Sequence, residues 1–466
     1  MAFMDDNFML KGEASKTIYE SIKDMPIFDF HCHLDPQEIY EDKPYNSITE
    51  VWLGGDHYKW RLMRAAGVPE AKITGDASDK EKFQAYAEVI GKAFGNPLFH
   101  FTHLEMKNYF GIEEHLNADN WEEMYNKLNA HIQETKMSPR KLLKDSKVTY
   151  VGTTDAPLDD LEWHKKLAED DTLDIKVAPT FRPDAAFVQH KDFAQFAKDL
   201  AAKTNREINN FDSFVNGLAD RVKYFANHGC QATDISFDEV VYSPATEDEL
   251  NVIFNKAVNG EVITKEEADK WQTEIYTELC GLYKQYNFVT LVHFGAMRNN
   301  NKPYFEKLGG DAGFDSIGDQ TELSENLNGF LNSLQEKDKM PKMSWYNINP
   351  AYNTMVANTI ANFQANEEGV ENRLQFGAAW WFADTKQGML DQMETLGQQG
   401  LLANFIGMLT DSRSFLSFAR HDYFRRLLAS LLGEWVDDGE IPADFEFING
   451  IAKDISYNNA AAFFDN

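Results

Sequence analysis

The sequence predicts an α/β protein built on a (β/α)8 barrel. Eight short apolar or β-branched runs recur along the 466 residues, each ending in polar or small residues. Helical patterns separate most of them, and strands alternating with helices imply a parallel sheet. Polar groups able to carry chemistry gather at the C-terminal ends of the runs, where barrels of this type place their active sites.

The first run, residues 27–33, leads into Ile27-Phe28-Asp29-Phe30-His31-Cys32-His33-Leu34-Asp35-Pro36. Alternate side chains of an extended strand share a face, so His31 and His33 project together and Cys32 points away. Paired imidazoles at the end of a buried strand suit a divalent metal such as zinc. Residues 34–146 follow, far more than one crossover helix requires. Helical patterns at 60–66, 80–94 and 121–134 predict a helical insertion that caps the barrel mouth. Inside it, Gly54-Gly55-Asp56-His57-Tyr58 suggests a loop able to approach a ligand closely.

The second run is 147–155. The third, 175–182, ends in Thr180-Phe181-Arg182-Pro183-Asp184, and a helical pattern follows at 192–202. The fourth, 231–237, carries Asp234; a second helical pattern spans 266–285. The fifth, 288–297, holds His293 and is followed at once by Arg298. A third helical pattern, 324–335, precedes the sixth run at 342–348. The seventh, 374–380, ends in Trp380-Trp381, and the eighth, 405–411, in Asp411-Ser412-Arg413. Two strand-end histidines, a further histidine and a last-strand aspartate offer nitrogen and oxygen donors converging on one point. Each residue also has a plainer explanation. His293 can be a hydrogen-bonded core histidine, and Asp411 the N-cap of a following helix. Arg182 and Arg413 can form structural ion pairs, and Trp380 and Trp381 can be core aromatics.

Composition narrows the partners. With 75 acidic against 45 basic residues, the formal charge is −30. Such a field repels nucleic acid and anionic membranes, so binding a small anion requires a local cluster of arginines. Three scattered cysteines, Cys32, Cys230 and Cys280, form no C-x-x-C pair and point to a reducing compartment. No basic, apolar leader and no apolar stretch of about 18 residues is present, so a cytoplasmic protein without a membrane span is expected. Without repeats or Pro/Ser-rich linkers, residues 1–466 read as a single catalytic unit. A homo-oligomer is left open.

These strings also carry a resemblance. Phe28-Asp29-Phe30-His31-Cys32-His33-Leu34 resembles the first-strand signature of the amidohydrolase superfamily. Gly55-Asp56-His57-Tyr58-Lys59-Trp60-Arg61, Thr180-Phe181-Arg182-Pro183-Asp184, His293-Phe294-Gly295-Ala296-Met297-Arg298-Asn299-Asn300-Asn301, Ala379-Trp380-Trp381-Phe382 and Thr410-Asp411-Ser412-Arg413-Ser414-Phe415 resemble one member family, the uronate (glucuronate) isomerases. The matches run in order through Arg425-Arg426. The resemblance implies interconversion of D-glucuronate with D-fructuronate and of D-galacturonate with D-tagaturonate. It also implies a divalent metal, zinc being commonest, on His31, His33 and Asp411, with His293 at a position where the superfamily often has another ligand. His57, Tyr58, Arg182 and Arg413 match residues of substrate binding and proton handling. Asp234, Arg298 and Trp380 join Arg182 as candidates for holding the hexuronate. Where the family is expected to carry Asp-His, this chain has Asp234-Ile235. The fourth run also lacks a lysine able to bridge two metals, which favours a mononuclear site.

Aldose–ketose isomerisation through an enediol requires a base at C2, an electrophile for the developing oxyanion and a proton donor at C1. Tyr58 or Asp411 is a candidate C2 base, with metal-bound water or His57 returning the proton. Arg413 suits the enediolate charge and Arg182 the uronate carboxylate. A metal-dependent hydrolase of the same superfamily would share the metal ligands. A non-catalytic carbohydrate-binding protein with a structural metal is the third reading.

Overall fold

Seven of the eight runs form parallel strands that pair in chain order. The computed structural model describes residues 3–366 and 371–465. Strand β1 (Ile27–Asp29) pairs with β2 (Val148–Gly152), and β2 with the first half of β3 (Lys176–Ala178). The second half of β3 (Thr180–Phe181) pairs with β4 (Ala232–Phe237). The order continues through β5 (Val289–Phe294), β6 (Lys342–Asn347) and β7 (Leu374–Phe376). Pro179 divides β3 because it has no N–H to donate. Close approach shapes the β1–β2 edge as well: a Cβ on Gly152 would lie 2.4 Å from the Phe30 carbonyl oxygen. Every residue of β5 is buried, as a parallel sheet covered on both faces requires.

The eighth position departs from the expected strand. Residues 405–411 carry no ladder, because the backbone leaves the pleat at Gly407 (φ 76°) and Asp411 (φ 45°). A Cβ on Gly407 would stand 2.5 Å from the Ile455 carbonyl oxygen, so that crossing needs glycine. Side-chain and single backbone bonds replace the ladder. The buried Asp29 carboxylate accepts the Thr410 N–H at 2.8 Å and its hydroxyl at 2.6 Å. The Asp411 N–H donates to His31 O at 3.2 Å, and the His33 N–H to Ser412 O at 2.9 Å. The (β/α)8 barrel closes at this seam.

Regular β1 likewise stops at Asp29, so His31 and His33 lie just beyond the ladder. The fifth run divides at Gly295: Ala296–Met297 turns away and pairs antiparallel with Ser316–Ile317. Helices Phe193–Thr204, Lys265–Gln285 and Leu323–Glu336 stand close to their expected bounds. In the insertion, the expected helices appear as His57–Ala65, Asp79–Ile90 and Trp121–Thr135. Four more join them: Pro36–Glu41, Ile48–Leu53, Pro97–Phe110 and Pro139–Asp145. Three of these begin with proline behind a capping Asp35, Asn96 or Ser138, whose side chain accepts a first-turn N–H. Among the described residues, no helix is long and apolar enough to cross a membrane.

The seam predicts the cost of its loss. Asp29→Ala leaves the Thr410 N–H and hydroxyl without their acceptor, and should lower unfolding stability by about 2–4 kcal/mol. Urea titration checks this, and a loss below about 1 kcal/mol would show that closure does not rest on Asp29.

Candidate metal and active site

The seam sets three metal-type donors side by side. His31 and His33 Nε2 lie 3.3 and 3.0 Å from the same Asp411 oxygen, Oδ1. The two rings stand edge to face with centroids 5.3 Å apart, while Cys32 turns away and is buried against Gly152 O. Donors bound at about 2.1 Å to a common tetrahedral centre are about 3.4 Å apart, so this trio fits a small divalent ion. A buried Nδ1 of His31 and a buried Nε2 of His293 have no hydrogen-bond partner among the described residues. Burial opposes the charged form of Asp411, but hydrogen bonds from His31 and His33 hold its carboxyl well below the usual range. Burial likewise opposes the His31 cation, and the Asp234 and Asp411 carboxylates outweigh it, raising its pKa.

Asp411 does not cap the next helical turn. Ser414 does, accepting the Leu416 N–H. Instead the buried Trp380 indole N–H donates to Asp411 Oδ2 at 2.8 Å, which fixes the carboxylate. Behind His31 lies a second group. His293 Nδ1 is 2.8 Å from Asp234 Oδ1, and Arg182 donates to Asp234 Oδ2 at 2.8 Å and to Asp184 Oδ2 at 2.7 Å. His293 packs 4.9 Å from the His31 ring, between Tyr346 and Trp380. His31, Asp234 and His293 thus form a second, fully buried set with donor atoms close enough to share an ion. Burial works against the Asp234 anion, but Arg182, His31 and His293 together depress its pKa.

A cavity of about 720 Å³ opens over His33 and Asp411, lined also by His57, Tyr58, Arg413 and Arg420. Residues 54–58, expected as a loop, line this cavity, but the last two, His57 and Tyr58, already open a helix. The Asp56 carboxylate caps helix His57–Ala65 through the Tyr58 and Lys59 N–H groups and pairs with the buried Lys59 ammonium at 3.0 Å. That ion pair fixes the helix start carrying His57 and Tyr58. Burial lowers the His57 pKa, keeping the imidazole neutral, and raises the Tyr58 phenol well above its ordinary value. Arg182 and Arg298 both lie outside the lining of this chamber. With Ser236 they line a neighbouring cavity of about 380 Å³, the Arg298 guanidinium 5.2 Å from the Trp381 ring centroid.

The strand-end reading missed Arg420 and Asp384. Arg420 lines the main cavity, donates to Thr410 O at 2.9 Å and pairs with Asp384 at 3.1 Å. Burial lifts the Asp384 carboxyl to about 6, against the opposing pull of Arg420. An arginine in the first turn of the largely buried helix Ala419–Asp437 was the available signal.

Known proteins match this arrangement along its whole length. The sequence matches the glucuronate isomerase family over residues 1–464. The uronate isomerase of Streptococcus uberis is 57% identical over 464 residues, spanning 100% of this chain and 99% of that protein. The crystal structure of the uronate isomerase from Thermotoga maritima superposes with a TM-score of 0.93 at 33% identity, covering 100% of both chains. That of the glucuronate isomerase from Caulobacter crescentus shares the fold, with a TM-score of 0.90 at 22% identity over 99% of this chain and 96% of the other. The chain belongs to the glucuronate isomerase family.

Proposed function

We propose that this isomerase interconverts D-glucuronate with D-fructuronate, and D-galacturonate with D-tagaturonate, on one divalent metal held by His31, His33 and Asp411. Zinc suits a His-His-Asp donor set with room for substrate. The observation that carries this reading is the convergence of both imidazoles on one Asp411 oxygen, with Arg413 two residues further on at the same cavity. When bound, such a metal polarises a substrate oxygen and orients the open-chain sugar.

The protein's own residues divide the remaining work. Trp380 and the two imidazoles engage both Asp411 oxygens, which leaves the C2 proton to another base. His57, neutral by burial, takes that proton and returns it at C1. Tyr58 stays protonated and donates a hydrogen bond to the oxygen whose charge grows. Arg413 stabilises the enediolate without losing its own proton. Arg182 is anchored by Asp184 and Asp234, and its remaining N–H groups take the uronate carboxylate from the side of the neighbouring cavity. Asp234 acts behind the chamber, orienting His293 and Arg182, and His293 supports the His31 ring rather than binding the ion. The insertion, residues 34–146, serves as a lid on a single catalytic unit and keeps water from the enediol. A cytoplasmic setting accords with three free, buried thiols, and the strongly acidic balance argues against nucleic-acid or membrane partners. The hydrolase reading is not favoured, since it shares the metal ligands but has no need of Arg182 and Arg413 around the substrate.

Three outcomes follow. Asp411→Asn or His31→Ala should lose both metal and isomerase activity; full activity in protein shown metal-free by elemental analysis would contradict the ligand set. Arg182→Ala should chiefly raise KM for glucuronate, and Arg413→Ala chiefly lower kcat, by about 10²-fold. The reverse pattern in steady-state kinetics would swap their roles. In deuterated water, solvent deuterium should enter C1 of the ketose, and Tyr58→Phe should slow turnover about 10- to 100-fold with metal content unchanged. Absence of label at every conversion, with Tyr58→Phe fully active, would favour a direct hydride shift.

A further inference from the structure

Among the described residues, Arg413 finds its ion-pair partner away from its own strand end. Its guanidinium reaches across to the loop after β5, where its Nη2 donates to Asp311 Oδ2 at 3.1 Å. The other Asp311 oxygen faces Arg298, 3.7 Å from Nη1. One carboxylate therefore joins two arginines from distant parts of the chain, the β5 end and the eighth segment. Exposed ion pairs contribute little when both partners are free to move.

This loop is not free. Arg64 donates to Ala312 O and lies over the Phe314 ring at 4.5 Å, and Arg61 donates to Asp315 O at 2.5 Å. Both arginines belong to helix His57–Ala65, the helix that carries His57 and Tyr58. Gly313 (φ 89°) lets the loop press on that helix: a Cβ there would stand 2.9 Å from the His57 carbonyl oxygen. On the other side, the Asn299 N–H donates to Asp315 Oδ1 at 2.7 Å and the Asn300 N–H to Phe314 O at 2.9 Å. Asp311 itself holds a left-handed backbone (φ 54°), which aspartate tolerates better than most residues.

We propose that Asp311 is a positioning residue for the isomerase reaction: clamped to the His57 helix through its loop, it sets the Arg413 guanidinium relative to His57 and Tyr58. The inference rests on the reading above, in which Arg413 stabilises the enediolate. A guanidinium that acts only on developing charge must be in place before that charge appears, because reorganisation during the step forfeits its effect. Arg298, held by Ser236 Oγ at 3.2 Å and by the Trp381 face, is the second point to which Asp311 is tied.

Asp311→Asn keeps the tolerance for the left-handed backbone and removes the charge, whereas Asp311→Gly keeps the backbone and removes the whole side chain. Both should lower kcat for D-glucuronate, by about tenfold in the glycine variant and less in the asparagine variant, with KM changed less than about twofold. A second readout needs no turnover. Phenylglyoxal modification of Arg413 in the metal-loaded protein, followed by peptide mass, should accelerate in both variants. Unchanged kcat, a rise in KM without a fall in kcat, or unaltered Arg413 modification would each overturn the proposal. Failure of the wild-type protein to form ketose would instead overturn the isomerase mechanism, and the modification rates would still report on Asp311.

Discussion

The site depends on one contact between distant parts of the chain, the seam where residues 410–412 lie beside residues 29–33. Asp29 takes both polar hydrogens of Thr410, and the backbones exchange the Asp411–His31 and His33–Ser412 bonds. A regular ladder would have continued the pleat. The left-handed Asp411 breaks it instead and brings its carboxylate within 3.3 Å of both imidazoles. Such a conformation costs about 1–3 kcal/mol in a residue other than glycine, and it persists because surrounding bonds over-determine it. Closing the barrel and assembling the metal-type trio are therefore one event.

Around the trio, charge is held in short chains rather than dispersed. Asp184, Arg182, Asp234 and His293 form one chain behind His31; Lys59 and Asp56 tie down the start of the His57 helix; Asp384 holds Arg420, which lines the cavity. In a protein of formal charge −30, these cations are each held by carboxylates, so they act at fixed points and do not make the mouth positive as a whole. A buried ion pair earns its place through geometry more than through net stability. Each of these chains ends on a side chain that faces the cavity or supports one that does.

The barrel was legible because its strands and helices obey simple periodicities, and the His31–His33 pair because strand alternation puts both on one face. The eighth element was legible as an apolar run but not as a broken one. Its regularity yields to Gly407 meeting Ile455 and to a side-chain partner nearly four hundred positions away, neither of which a local pattern reveals. Four insertion helices escaped the apolar count, although Asp35-Pro36, Ser47, Asn96-Pro97 and Ser138-Pro139 announced them as caps. Trp380, a candidate for holding the hexuronate, is instead buried and turns its N–H onto Asp411. Arg420 and Asp311 lie on a helix and on a loop, away from the strand ends, so no strand pattern points to them.

In the proposed reaction, one ion on His31, His33 and Asp411 makes this seam a catalyst. Titrating metal-stripped protein with zinc, while following ketose formation from D-glucuronate, measures that dependence. Activity should rise in proportion to added metal and level off at one ion per chain. Full activity before any metal is added, or a plateau reached only at two ions per chain, would contradict the account.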